Sequence, residues 1–240
     1  MEVHHHPNVE KKTFKDYFLE FIMIFLAVTL GFIAENIREH FTEQKTARVL
    51  AQSFFEDIKK DTASLNESLV FSNKKLDVTD SVLFILHKTR AEWNDTIFYR
   101  DAALLFSSFP FTPTDGTFTQ MKTSGALRYF QQSLVNLMNA YDVQLKKTKY
   151  REDVEDKGIW MLADFGFDKI NSEAIVDSRF NHPIQHEMYI NLDDKTARNK
   201  YINLIVMLKS FLIRSVQEIK VQLKIAGQLL QALNEKYDLT

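Results

Sequence analysis

An all-α fold is expected from this chain: an N-terminal transmembrane helix continuing into an elongated antiparallel helical bundle of about four helices. Three observations point there. Breakers are scarce, with 6 Gly and 4 Pro in 240 residues, so helices should run long and uninterrupted. The stretch FLEFIMIFLAVTLGFIA, residues 18–34, holds 17 residues with a single charge, Glu20. Downstream, apolar residues recur in alternating steps of four and three, the mark of a helix–helix seam.

The apolar stretch comes first. A bilayer core takes about 20 apolar residues, with about 17 at the lower end. Residues 21–34 give 14 uncharged positions, and Tyr17, Phe18, Leu19 and Ile37 extend the helix toward that length. Glu20 and Glu35 then fall within about a turn of each interface, where a carboxylate reaches water. A cleaved signal peptide would have a shorter apolar region and a small-residue cleavage site. The segment instead ends Ile33-Ala34-Glu35-Asn36-Ile37, and no Gly or Pro follows until far downstream. The organisation expected is a short polar tail at 1–16, an anchor at 17–37 and a helical-bundle domain at 38–240.

Beyond the anchor, ENIREHFTEQKTARVLAQSFFEDIKKD continues without a breaker, so the anchor helix should enter the bundle directly. A helix of about 50 residues from Asn36 to Leu86 would reach roughly 75 Å at 1.5 Å per residue. Its seam reads Ala51, Phe55, Ile58, Thr62, Leu65, Leu69, Ser72, Leu76, Thr79, Leu83 and Leu86. Three of these are Ser or Thr, which fits a multi-helix bundle better than a stand-alone dimer. A shorter helix, 91–107, carries Trp93, Ile97, Leu104 and Leu105. A further run places Leu127, Phe130, Leu134, Leu137, Tyr141 and Leu145 on one face. The last helix shows Tyr201, Ile205, Leu208, Leu212, Ser215, Ile219, Gln222, Ala226, Leu229 and Leu233 in the same register, with Asp193-Asp194 as its N-cap. Its INLIVML segment (202–208) is cut off by Lys209 and Arg214 and reads as a bundle face rather than a second span.

Two irregular stretches interrupt this pattern. SSFPFTPTDGTF, 107–118, holds two of the prolines and a turn-like Asp115-Gly116. Its Phe109, Phe111 and Phe118 either pack locally or form a partner-contact surface. The stretch 160–192 mixes Gly166, Pro183 and aromatics and reads as a small cap, expected to lie near the aromatic loop.

Composition excludes more than it assigns. A net charge of −2 offers no basic field for nucleic acid. The absence of Cys rules out disulfides, Cys-zinc sites and thiol catalysis. No phosphate loop, G-x-S-x-G or H-E-x-x-H occurs, so no enzyme, cofactor or metal is expected. His182 and His186 have i,i+4 spacing, but Pro183 lies between them and a third ligand is missing. His4-His5-His6 forms a short tract with no assigned role. Glu20 is the one ionisable residue placed to act as a proton or ion relay.

The segment LEFIMIFLAVTLGFIAENIREH, followed much later by FTQMKTSGALRYF, resembles an uncharacterised family of small single-pass Bacteroidetes membrane proteins. In that family a similar apolar segment precedes a helical region, and an "LKSSGNL"-like stretch opens a later helix; here it reads Met121-Lys122-Thr123-Ser124-Gly125-Ala126-Leu127. The likeness covers about a third of the chain. It implies a single-pass envelope protein and brings no chemistry with it. Ala126 stands where the family has Asn, which removes one candidate polar group from that turn.

These features lead to a membrane-anchored helical scaffold or partner-binding protein of the bacterial envelope. Its partners would be the lipid bilayer and either a protein or a second copy of the chain. Two alternatives differ in class: a sensory or ligand-binding bundle acting through a partner, and a subunit of an ion channel or ion-driven complex that uses Glu20. The anchor is flanked by Lys11, Lys12 and Lys15 on one side and by Arg38, Lys45 and Arg48 on the other. This near balance leans only slightly to an inner-membrane protein with its body outside the cytoplasm.

Overall fold

The computed structural model describes residues 13–180 and 182–239. The described chain forms six α-helices: α1 Phe14–His87, α2 Asp95–Leu105, α3 Gly116–Thr123, α4 Gln132–Gly166, α5 Ser172–Arg179 and α6 Lys195–Tyr237. No strand occurs among the described residues, only an isolated bridge between Ile170 and Ile190. The all-α expectation holds. The chain divides into two units, Met1–Val49 and Leu50–Thr240, with the boundary inside α1.

In the first unit, α1 opens at Thr13, whose backbone N–H and hydroxyl both donate to Asp16 Oδ2 at 2.7 Å. This is the half of a capping box in which the acid three residues on reaches back to the N-terminal Thr. The apolar window that follows is long enough to cross a bilayer, and none of it is buried against other parts of the protein. Phe21, Met23, Leu30 and Phe32 are each more than 60% exposed. Thr29 donates its hydroxyl to the carbonyl of Phe25 at 2.7 Å, so the one hydroxyl in the window needs no outside partner. Arg38 pairs with Glu35 through two hydrogen bonds just past the window.

The second unit is a bundle of three long helices and one broken segment. The buried seam on α1 runs 51, 54, 58, 61, 65, 68, 72, 75, 79, 82, 86, in alternating steps of three and four, with Phe55 and Ile85 buried beside it. On α4 the buried positions are 134, 138, 141, 144, 145, 148, 155, 158, 159, 162 and 166. On α6 the ten positions expected from sequence, 201, 205, 208, 212, 215, 219, 222, 226, 229 and 233, are all buried, together with Val216, and Asp194 caps that helix by accepting from Ala197 N–H at 2.7 Å. INLIVML lies inside α6, with Ile205 and Leu208 fully buried. Tyr141 of α4 meets Asp61 of α1 and Glu155 meets Lys75, so these helices run parallel. Gln144 bonds Glu218 and Lys209 bonds Asp80, so α6 runs against both. Gly158 lets α4 and α6 close together: a Cβ there would sit 2.9 Å from the Phe211 ring.

The fourth segment departs from expectation. A helix was expected over 91–107 and a loop beyond it at one end of the bundle. Instead α2 ends at Leu105, residues 107–115 run as extended chain along α1 from Lys75 toward Phe54, and α3 takes over at Gly116. Ser81 donates to Asp101, Lys75 to the Ser107 carbonyl, and the Phe109 ring lies 5.7 Å from Phe71. Thr114 N–H donates to Asp61 at 2.8 Å, and Phe118 stacks on Phe54 at 5.3 Å. From Lys75 to Phe54, α1 covers roughly 31 Å at 1.5 Å per residue. The chain from Ser107 to Phe118 spans that distance only if extended, at about 3.3 Å per residue at most. Pro110 and Pro113 enforce this, because proline cannot continue a helix and pushes its predecessor to extended backbone. The aromatic stretch is therefore a strap inside the bundle. Only its start, near Ser107, approaches the 160–192 region.

Gly125 turns the chain from α3 toward α4 with φ 71°, a left-handed conformation that disfavours other residues. That is the physical reason for a glycine in the Ser124-Gly125-Ala126 turn.

Candidate functional site

The strap explains why the centre of the bundle is polar. An extended segment has no helical partners for its backbone groups, and buried N–H and C=O groups must find some. Side chains of α1 and α4 supply them. Lys75, 0% exposed, donates to the Ser107 carbonyl at 2.7 Å and to Glu155 Oε1 at 3.0 Å. Lys149 donates to the Phe111 carbonyl at 2.8 Å, and Glu152 accepts from Phe111 N–H at 3.0 Å. Asp61 accepts from Thr114 N–H and from the Tyr141 hydroxyl, both at 2.8 Å. Burial pushes the Asp61 and Glu152 carboxyls upward despite these bonds. Burial also holds the Lys75 ammonium below its ordinary range, partly offset by Glu155. Beside Ser68, Ser72, Ser215 and Glu155 lies a void of ≈ 20 Å³, room for about one water. Nothing larger fits, so this buried cluster of charges is not shaped for a substrate.

The residues singled out in the sequence are distributed differently from expectation. Phe111 is 0% exposed and packs with Leu65, Leu145 and Ile219. Phe118 is also buried, against Phe54. Both are core side chains, because the strap faces inward, and the partner-contact reading is withdrawn for them. Phe109 keeps 40% of its surface. Glu20 and Glu35 both lie on α1 in the first unit, and Glu35 is engaged by Arg38. His182 and His186 share no helix, since α5 ends at Arg179. His186 Nδ1 lies 2.9 Å from Asp177 Oδ2, a contact that raises the imidazole's pKa. No group of three metal-binding side chains occurs among the described residues. His4-His5-His6 lies outside them.

The concave surfaces lie around α5. Asn171 caps this helix by accepting from Glu173 N–H at 3.0 Å. The Asn171 N–H donates to the Tyr99 hydroxyl at 3.0 Å, and its side-chain amide donates to the Glu187 carbonyl at 2.7 Å. Tyr99 in turn donates to the Tyr189 carbonyl, and burial pushes its phenol up to about 12. Ala174, fully buried, seats α5 in the core that α2 helps to build. The helix is thus fixed from below by α2 and along its side by residues 187–190.

Between α5 and the end of α4 runs an apolar groove of ≈ 330 Å³, lined by Phe106, Ile159, Trp160, Ala163, Phe167, Ile170, Ile175 and Val176, with Arg179 at its margin. Trp160 is 70% exposed, and Phe167, Val176 and Phe180 are each at least half exposed. Arg179 also lines a second pocket of ≈ 440 Å³, with Lys74, Arg100, Asp101, Ser107 and Ser178. Both volumes fall in the range of about 300–1,000 Å³ that small-molecule sites occupy. Three cations face one carboxylate in the second pocket. Asp101 is already held by Arg100 at 2.8 Å and by Ser81. Lys74 and Arg179 make no ion pair among the described residues. Ser178 Oγ is buried there without a hydrogen bond.

Sequence reasoning read residues 160–192 as a cap without marking this groove. A signal existed: Trp160 and Phe167 each fall one position past the buried seam positions 159 and 166, so their large apolar side chains could not join the seam. Comparison with protein-family models, with curated proteins and with solved structures finds no match.

Proposed function

We propose that this chain is a membrane-tethered binding protein without catalytic activity of its own, anchored through residues 18–34 and binding at the α4–α5 face. The observation that carries the reading is the exposed apolar cluster of Trp160, Phe167, Val176 and Phe180 around a preformed groove. Contiguous exposed apolar surface next to polar residues marks interaction sites in soluble domains. The titratable groups along the strap support a non-catalytic reading. Asp61, Lys75, Lys149 and Glu152 all spend hydrogen bonds on the backbone of the strap, and the void beside Glu152 and Glu155 holds about one water. The uncovered apolar window supports the tether, since a helix so exposed over that length is stable in hydrocarbon and costly in water. An inner-membrane location with the body outside the cytoplasm, and kinship with the single-pass family, belong to the same proposal.

The test is site-specific photo-crosslinking in cells. A benzophenone amino acid at Trp160 or at Phe167 should give adducts, whereas the same probe at Val70 or Val221, exposed elsewhere on the bundle, should not. Equal yield at all four positions would count against a dedicated face.

A further inference from the structure

The groove and the cationic pocket share Arg179, and their chemistries differ sharply. One is lined almost wholly by carbon, and its two polar side chains are Ser172 and Arg179. The other gathers Lys74, Arg100 and Arg179 against Asp101, whose carboxylate is already engaged. Ser178 Oγ adds a buried hydroxyl with no bond made. Such a hydroxyl loses free energy as it stands, and a rotation of the Ser178 side chain turns it toward the pocket. The cations are also costly to crowd. Arg179 is close enough to the buried Lys75 to work against its charge, in the same direction as burial itself. An anion between Lys74 and Arg179 would relieve that repulsion and bond the Ser178 hydroxyl. An apolar chain running from it past Arg179 would cover Trp160 and Phe167.

We propose that the α5 region binds a single-chain amphiphile with an anionic head, the head held by Lys74, Arg179 and Ser178 and the chain lying in the groove between Trp160 and Val176. The assignment rests on the α4–α5 face being the binding face and adds the chemistry of the occupant. Arginine suits the head because its planar guanidinium bonds two oxygens of a carboxylate or phosphate at once. A neutral lipid would leave the cations and Ser178 unsatisfied, and a free inorganic anion would leave the groove exposed.

The probe is octyl phosphate, titrated into the full chain held in phosphatidylcholine nanodiscs, with empty nanodiscs measuring partition into lipid. Trp160 is the reporter: it is 70% exposed, and the other tryptophan, Trp93, is buried. A saturable blue shift is expected, absent in Trp160→Phe. Octanol should bind at least tenfold more weakly, and inorganic phosphate alone should leave the emission unshifted. Arg179→Gln, at an exposed position and therefore safe for folding, should weaken octyl phosphate at least tenfold and leave octanol unchanged. The proposal is overturned if octanol binds as tightly as octyl phosphate, if Arg179→Gln has no effect, or if no saturable shift occurs. Adducts confined to Trp160 and Phe167 alongside a failed titration would mean that the face is real and its occupant is of another class. Failure of both would remove the face as well.

Discussion

Lys75 is the most informative residue to perturb, because its ammonium joins three elements. It is fully buried, its Nζ donates to the strap at the Ser107 carbonyl and to α4 at Glu155, and the Glu155 side chain is only 11% exposed. Lys75→Met keeps the volume and removes the charge. It strands a buried carboxylate, for which loss of one partner costs about 3–5 kcal/mol, and the Ser107 carbonyl with it. Lys75→Met with Glu155→Leu removes both charges. What remains is one unbonded carbonyl, at about 1–3 kcal/mol, set against relief of the desolvation of the ion pair. The double variant should therefore be more stable than Lys75→Met alone by about 1–3 kcal/mol. A pH dependence accompanies this. Burial lowers the lysine's pKa from the ordinary 10.5, so its desolvation penalty is present below the native value. That penalty fades as pH rises toward 10.5, and wild type should gain on the double variant in alkaline buffer. Urea unfolding followed by circular dichroism in mild detergent gives the stabilities of wild type, Lys75→Met, Glu155→Leu and the double variant, which close the cycle. If Lys75→Met costs less than 1 kcal/mol, or if the two substitutions simply add, the pair is not coupled through the strap.

Other expectations are simpler. Leu65→Ala should cost about 2–5 kcal/mol, since Leu65 is fully buried against Phe111, Leu145 and Ile219; the same unfolding assay reads it, and a loss below 1 kcal/mol would contradict the packing. Val28→Arg, in the middle of the apolar window, should cost about 2.5–3.5 kcal/mol on insertion and shift protein out of the carbonate-resistant fraction. The His186 ring should titrate above its ordinary value of 6.5 in nuclear magnetic resonance. Its contact with Asp177 is complete below 6.5 and lost as pH rises through the native value, and Asp177→Asn should lower the ring's pKa, leaving only the weaker pull of Glu173.

How far the sequence showed the structure depended on where polar residues sit. On α6 the core positions are almost all apolar, and reading apolar periodicity recovered all but Val216. On α1 the alternation was right at Ala51, Ile58, Leu65, Ser72, Thr79 and Leu86. Phe55 is buried as well, beside Phe54, and the reading slipped by one residue at the other four positions, choosing Thr62, Leu69 and Leu76 over the buried Asp61, Ser68 and Lys75, and Leu83 over Val82. Asp61 and Lys75 are polar because the strap beside them is extended and needs hydrogen-bond partners. The break in the second segment and the polar seam are thus one feature seen twice. Neither is visible to a search for apolar repeats, although Pro110 and Pro113 announce the break. The same logic misplaced Phe111 and Phe118, since aromatics in a proline-rich stretch look like a surface loop until that stretch is threaded into the bundle. The proposed binding face around α5 depends on two pockets, one with Trp160 and one with Lys74 and Arg100, meeting at Arg179, and no local spacing encodes that.

A single-cysteine accessibility map tests tether and binding face together, and the absence of native cysteine makes it clean. Val28→Cys, Val176→Cys and Val221→Cys would each be reacted with a maleimide, in native membranes and after purification into nanodiscs. The expected result has three parts: position 28 silent in both, position 221 reactive in both, and position 176 slow in native membranes but fast once purified. Labelling of position 28 in intact membranes would contradict the tether, and equal rates for positions 176 and 221 in native membranes would contradict the binding face.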